Sequence, residues 1–185
     1  MDEQLVTMEV ELYLREYISY FNEYYGLLLE RYERYKELRK TTNEITLDVE
    51  TYFDILIVQL RSMLLETRDN QNVAFGNYTI RNIIFLGKDT SPWNDIEDML
   101  NEVLISGEGA MDDCKVKDAI KIIADKSICH YENFYRKGKH SWELIQLLKS
   151  KLMDEEAKIN IDYIMKTITN ILKSGVDLGL DNLRG

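Results

Sequence analysis

Proline occurs once in this chain, at Pro92, and glycine nine times in 185 residues. Both residues disfavour helix interiors, so their scarcity points to a chain built from helices. Cysteine is scarce too, with only Cys114 and Cys129. If one helix carries both, they lie roughly 22 Å apart at 1.5 Å rise per residue, far beyond the ~7 Å reach of a disulfide. Two reduced thiols are therefore expected, as in a cytosolic protein. Long apolar runs are missing: a stretch such as Ile55–Val58 is four residues, whereas a membrane helix needs about 18. The opening Met1-Asp2-Glu3-Gln4 has no basic region and no apolar core, so no signal peptide is expected. There is no Walker loop, no Rossmann glycine pattern, no Gly-x-Ser-x-Gly elbow and no second ligand pair at zinc spacing. No cofactor and no metal are expected.

A chain of this length buries roughly 70% of the surface its unfolded form exposes, enough for a core without staples. With no linker, internal repeat or low-complexity tract, residues 1–175 read as one helical domain and 176–185 as a short tail. The net charge is −10, which makes the whole chain a poor generic binder of nucleic acid. The charge is uneven, however. Between Lys115 and Lys139, seven bases (Lys115, Lys117, Lys121, Lys126, Arg136, Lys137, Lys139) stand against Asp118, Asp125 and Glu132, a net +4 that leaves −14 elsewhere. The segment reads either as ordinary solvated charge or as a local site for an anionic ligand.

Apolar residues recur at three- and four-residue steps from 4 to 40, through Leu5, Met8, Leu12, Tyr13, Tyr17, Tyr20, Tyr24, Leu28, Tyr32, Tyr35 and Leu38. That period predicts one long helix. Its tyrosine stripe suits a core or dimer face better than a base-stacking platform. Thr41-Thr42-Asn43-Glu44 resembles a capping box for a second helix running to about Thr67, with Val49, Phe53, Leu56, Leu60 and Met63 facing inward. The short connection predicts an antiparallel hairpin. A short helix is expected over Tyr78–Leu86, closed by Gly87. Ser91-Pro92 should open an acidic helix that ends near Gly107. A helix over about Met111–Tyr131 follows, with Val116, Ala119, Ile120, Ile123, Ser127 and His130 on one side. A basic turn at Arg136–Lys139 precedes a helix capped by Ser141, and Asp154 is the expected cap of the last helix. The sum is an all-α, up-and-down bundle of about five or six helices.

The stretch most able to carry chemistry is Asp125-Lys126-Ser127-Ile128-Cys129-His130-Tyr131. Four residues apart, Lys126 and His130 share a helix face. An imidazole moves protons near neutral pH, and a cation beside it offsets charge growing on a phosphate. A lone histidine on a helix is more often a hydrogen-bonded, half-buried residue than a catalyst, and that reading stands beside the chemical one for His130; His140 reads as a surface or capping residue. Asp69, at the end of the second helix, is a weaker candidate.

Ala124-Asp125-Lys126-Ser127-Ile128-Cys129-His130-Tyr131 resembles the Arg-Asp-Lys-x-x-Ala-His signature of the HEPN superfamily, especially its phage abortive-infection branch. The order of elements ahead of it fits as well: a long helical hairpin, an Asp-bearing helix end at Thr67-Arg68-Asp69 and a short apolar helix. The resemblance implies a HEPN-like fold over 1–175 and a metal-independent RNase of a defence or toxin system, acting as a homodimer that pairs two motifs. It assigns His130 to the family histidine and Asp125 to the polar residue after the arginine. Ala124 stands in the arginine's place and Lys126 is the nearest cation. A lysine does not make arginine's bidentate phosphate contact. The alternative expectation is a non-catalytic helical module engaging a protein or RNA partner, or a structural dimer held by the first helix.

Overall fold

In the computed structural model the described residues are 3–41, 44–66, 78–86, 89–106, 113–125, 135–136 and 139–180; of 3–11, 135–136, 139–141 and 174–180 only the backbone is described. The chain is all-α in class. Seven helices and two short antiparallel β-hairpins occur among these residues. It divides into two compact units, residues 1–89 with 175–185 and residues 90–174.

The first unit is organised by α1 (Glu3–Thr41) and α2 (Leu47–Leu65). They form the expected antiparallel hairpin, because contacts climb one helix as they descend the other: Tyr35 meets Phe53 at 6.0 Å between ring centroids, and the Gln59 amide reaches the Tyr24 carbonyl at 2.7 Å. The expected inward residues of α2, Val49, Phe53, Leu56, Leu60 and Met63, are all buried, as are Tyr17, Phe21, Leu28 and Tyr35 of α1. Burial of one such side chain is worth about 1.5–3 kcal/mol. At 1.5 Å per residue α1 is roughly 58 Å long and α2 roughly 28 Å, so α2 accompanies only the carboxy-terminal half of α1.

Thr41 does not cap α2. It is the last residue of α1, and its hydroxyl donates back to the Leu38 carbonyl at 2.9 Å. The cap is Thr46, in extended conformation, whose Oγ1 accepts from the Val49 N–H and whose carbonyl accepts from Glu50. Thr79 plays the same part for α3 (Ile80–Leu86), accepting from Asn82 through its hydroxyl and from Ile83 through its carbonyl. Gly87 lies outside the described residues.

In the second unit, Pro92 occupies the first turn of α4 (Pro92–Asn101), as its missing N–H allows. Ser91 is helical in backbone and makes no side-chain cap. The helix stops at Asn101, short of the expected Gly107. Val103-Leu104-Ile105, rich in β-branched side chains, form β1 (Val103–Ile105), which pairs antiparallel with β2 (Cys114–Lys115). Cys114 is thus on a strand rather than on the helix expected over 111–131, and that helix starts later: α5 spans Val116–Ile122 and continues as a π-turn over 123–125, while 126–131 lie outside the described residues. Cys129 lies outside the described residues.

The basic turn is bracketed by a second hairpin, β3 (Tyr135–Arg136) against β4 (Lys139–His140), which leads directly into α6 (Ser141–Met153). Asp154 caps the turn after α6 through its Oδ1 and the Glu156 N–H. The cap of α7 (Ile161–Leu180) is Asn160 instead, which accepts from Tyr163 N–H at 2.9 Å while its amide donates to the carbonyls of Asp154, Glu155 and Ala157. Among the described residues no helix is long and apolar enough to cross a membrane.

Candidate functional site

The site suggested by the sequence begins where α5 ends, and α5 is fixed at its start by the residues around it. Lys115 is its cap residue in extended conformation, and its N–H donates to the Asp118 carboxylate. The Val116 N–H donates to the Glu102 carbonyl at 3.0 Å, and Lys117 Nζ donates to Asn101 Oδ1 at 2.8 Å. These bonds tie α5 to the end of α4. Val116, Ala119, Ile120, Ile123 and Ala124 are all buried, which anchors the inward face through the π-turn.

The 123–125 turn marks a change in winding. The Ile123 N–H is shared between the Ala119 and Ile120 carbonyls, and the next residues take π geometry. π-turns are rare, and they often occur at functional positions. This one ends at Asp125, which is half-buried and is the first residue of the Asp125–Tyr131 string.

Of the three expected site residues, Asp125 is therefore placed, at the end of the π-turn. Lys126 and His130 lie outside the described residues, as does Asp69. His140 is in β4, described in backbone only. Ala124, which stands where the HEPN signature has arginine, is fully buried. A guanidinium at that position has no route to a phosphate without leaving the core. In the basic segment, Lys121 is exposed, Lys115 is half-buried at the helix cap and Lys117 is held by Asn101.

A second polar group in this unit escapes sequence reading. The Tyr163 hydroxyl donates to Glu102 Oε1 at 2.6 Å, and Lys158 Nζ lies 3.8 Å from Glu102 Oε2. The carboxylate as acceptor, with some burial, pushes the Tyr163 hydroxyl up to about 12. Tyr163 stays a proton donor at neutral pH, and its bond to Glu102 joins α7 to the residue just before β1. Its partners are 61 residues apart in the chain, and no local spacing signals them. Among the described residues no group of three His, Cys, Asp or Glu side chains gathers as metal ligands would. No family model, curated protein or solved structure matches the chain.

Proposed function

We propose that this chain is a HEPN-like protein of a defence or toxin system that acts on RNA in the cytoplasm as a metal-independent endoribonuclease. Its reaction centre is the stretch that opens at Asp125. His130 takes the proton from a ribose 2′-OH or returns one to the leaving oxygen. Lys126 offsets the charge on the phosphate, and Asp125 assists from the π-turn. The product is a 2′,3′-cyclic phosphate. The observation that carries this reading is the break from α-helix to π-turn immediately before Lys126, a departure from regular winding of the kind that functional positions favour. The basic balance of Lys115–Lys139 supports an anionic ligand at the same place.

The burial of Ala124 favours a second reading, a helical module that engages RNA or a cognate protein without cleaving it, since the arginine's place belongs to the core. RNA cleavage by the purified chain with EDTA present, beside His130→Ala, separates the two. Cleavage that leaves a cyclic phosphate and is lost in the variant supports the nuclease. Absence of cleavage over a range of RNAs, with retained RNA or protein binding, leaves the binding module.

A further inference from the structure

The core takes Phe21, Leu28 and Tyr35 from α1. Beside that buried row runs an exposed one: Tyr13, Tyr20 and Leu27, with 45%, 52% and 44% of their surfaces open. Seven residues return to the same side of a helix within about 20°, so these three form one line roughly 21 Å long. Tyr78 is exposed as well, and its ring lies 5.7 Å from that of Tyr20, which broadens the line at its middle. Single exposed apolar residues are ordinary. A line of them at this spacing has the form of a seat for another helix.

Each member of the line is followed, three residues on, by an exposed glutamate: Glu16, Glu23 and Glu30. Three residues turn back by ~60° on a helix, so the carboxylates form a second row along one edge of the apolar line. None of the three has a hydrogen-bond or ion-pair partner among the described residues. The next place in the line is Arg34, which engages Glu37 at 3.0 Å, and the seat ends there. On the other edge Arg31 is committed to Gln59 at 2.6 Å. Between residues 12 and 30 the one cation is Arg15, about 160° round the helix from Tyr13. Arg81 of α3 stacks over the Phe85 ring at 5.2 Å.

The acidic row narrows the choice of occupant. It repels the phosphates of a nucleic acid. A second copy would bring the same three glutamates to this stretch, with Arg15 alone to offset them. A helix carrying Lys or Arg gains twice, because the cation pairs with a carboxylate while its stem lies along a tyrosine ring whose face attracts positive charge. We propose that residues 13–30 of α1 dock a basic amphipathic helix of another protein. Its apolar residues, at seven-residue spacing, meet Tyr13, Tyr20 and Leu27, and its Lys or Arg side chains meet Glu16, Glu23 and Glu30. The seat uses no residue of the Asp125–Tyr131 string, and its test reads binding rather than cleavage, so it succeeds or fails independently of any activity on RNA.

The probe is a fluorescein-labelled peptide of about three heptads, with leucine every seventh residue, lysine at the third and fourth positions after each leucine, and alanine and glutamine elsewhere. A control peptide carries glutamate in place of lysine. By fluorescence anisotropy with the full chain, the lysine peptide should bind at micromolar concentration and the control should not. Combining Glu16→Gln, Glu23→Gln and Glu30→Gln should weaken binding about eightfold, roughly twofold for each exposed ion pair. Leu27→Gln should weaken it roughly fivefold through lost apolar contact. Helical circular dichroism should stay unchanged, since all four side chains are exposed. Glu97→Gln, Asp98→Asn and Glu143→Gln together make the same change of net charge at exposed positions elsewhere and should leave affinity within about twofold of the parent. No binding of the lysine peptide, equal binding of the two peptides, or equal losses for the two triple variants would overturn the proposal. So would sedimentation showing a dimer of the parent that Leu27→Gln dissociates, which would give the seat to a second copy, or oligouridylate binding that Tyr20→Ala abolishes, which would give it to RNA.

Discussion

Replacing Asn160 with alanine should destabilise the second unit by about 2–3 kcal/mol. The side chain is 7% exposed and works in both directions. Its Oδ1 accepts from the Tyr163 N–H, one of the four N–H groups that a helix start leaves without an intrahelical partner. Loss of such a cap costs ~1 kcal/mol, within a range of about 0.5–2. Its Nδ2 has two hydrogens for the carbonyls of Asp154, Glu155 and Ala157, at 3.1, 3.3 and 3.1 Å. Each good bond to a neutral carbonyl contributes about 0.5–1.5 kcal/mol, and three acceptors share two hydrogens, so one to two such bonds add to the cap. Asn160→Ser separates the parts: it keeps an oxygen able to cap α7 and loses the donors, and should cost about 1 kcal/mol less than alanine. Both tryptophans, Trp93 and Trp142, lie within residues 90–174, so urea unfolding followed by tryptophan fluorescence reports this unit. A midpoint shift at unchanged slope gives the difference. An alanine variant within about 0.5 kcal/mol of the parent, the scatter of an ordinary surface change, would refute the reasoning; so would equal losses for alanine and serine.

Three other outcomes are expected. Gln59→Leu leaves the Arg31 guanidinium without the Gln59 Oε1 it meets at 2.6 Å and removes the bond to the Tyr24 carbonyl; thermal melting by circular dichroism should show a loss of about 1–2 kcal/mol. Tyr163 should ionise near pH 12, against an ordinary 10.0. A folded-state value raised in this way gives stability that is present below pH 10.0 and is lost as pH climbs toward 12. Absorbance titration at 295 nm checks it: Glu102→Gln should bring this phase down and Tyr163→Phe should remove it, while Tyr17, raised mainly by burial, still lags. Ala124→Arg, which completes the HEPN-type signature in sequence, should destabilise the second unit by on the order of 3 kcal/mol or more through overpacking and a buried charge. A stable Ala124→Arg protein by tryptophan fluorescence would show that the position opens to solvent.

The helices most legible in the sequence are those with long apolar periodicity. The stripe of α2 from Val49 to Met63 names its own buried face. In α1 the period was visible, but the division of the stripe was not: Phe21 belongs to the core, while Tyr13 and Tyr20 are exposed. Periodicity identifies a face wider than the contact, and α2 covers only the part it packs against. Caps were harder to locate. Thr41, Thr46, Thr79, Asp154 and Asn160 are all competent in residue type, and the structure chooses by backbone conformation and by whether the side chain is already engaged, as Thr41 is by Leu38. For the candidate site, the Asp125–His130 string is visible as a motif, whereas the π-turn and the burial of Ala124 are not, because both depend on what packs against α5.

By itself, the sequence determined that the chain is helical, that α1 and α2 turn back on each other and that α1 is acidic at one end and basic at the other. Those properties follow from local period, a short connection and the order of charges. Tertiary structure decided where α4 ends. Val103–Ile105 could have continued as helix, but pairing with Cys114–Lys115 satisfies their backbone as a strand. It also decided which polar residues meet: Glu102 with Tyr163 and Gln59 with Arg31 are joined across 61 and 28 residues. No spacing rule reaches that far; only the packing of whole helices brings such groups within hydrogen-bonding distance.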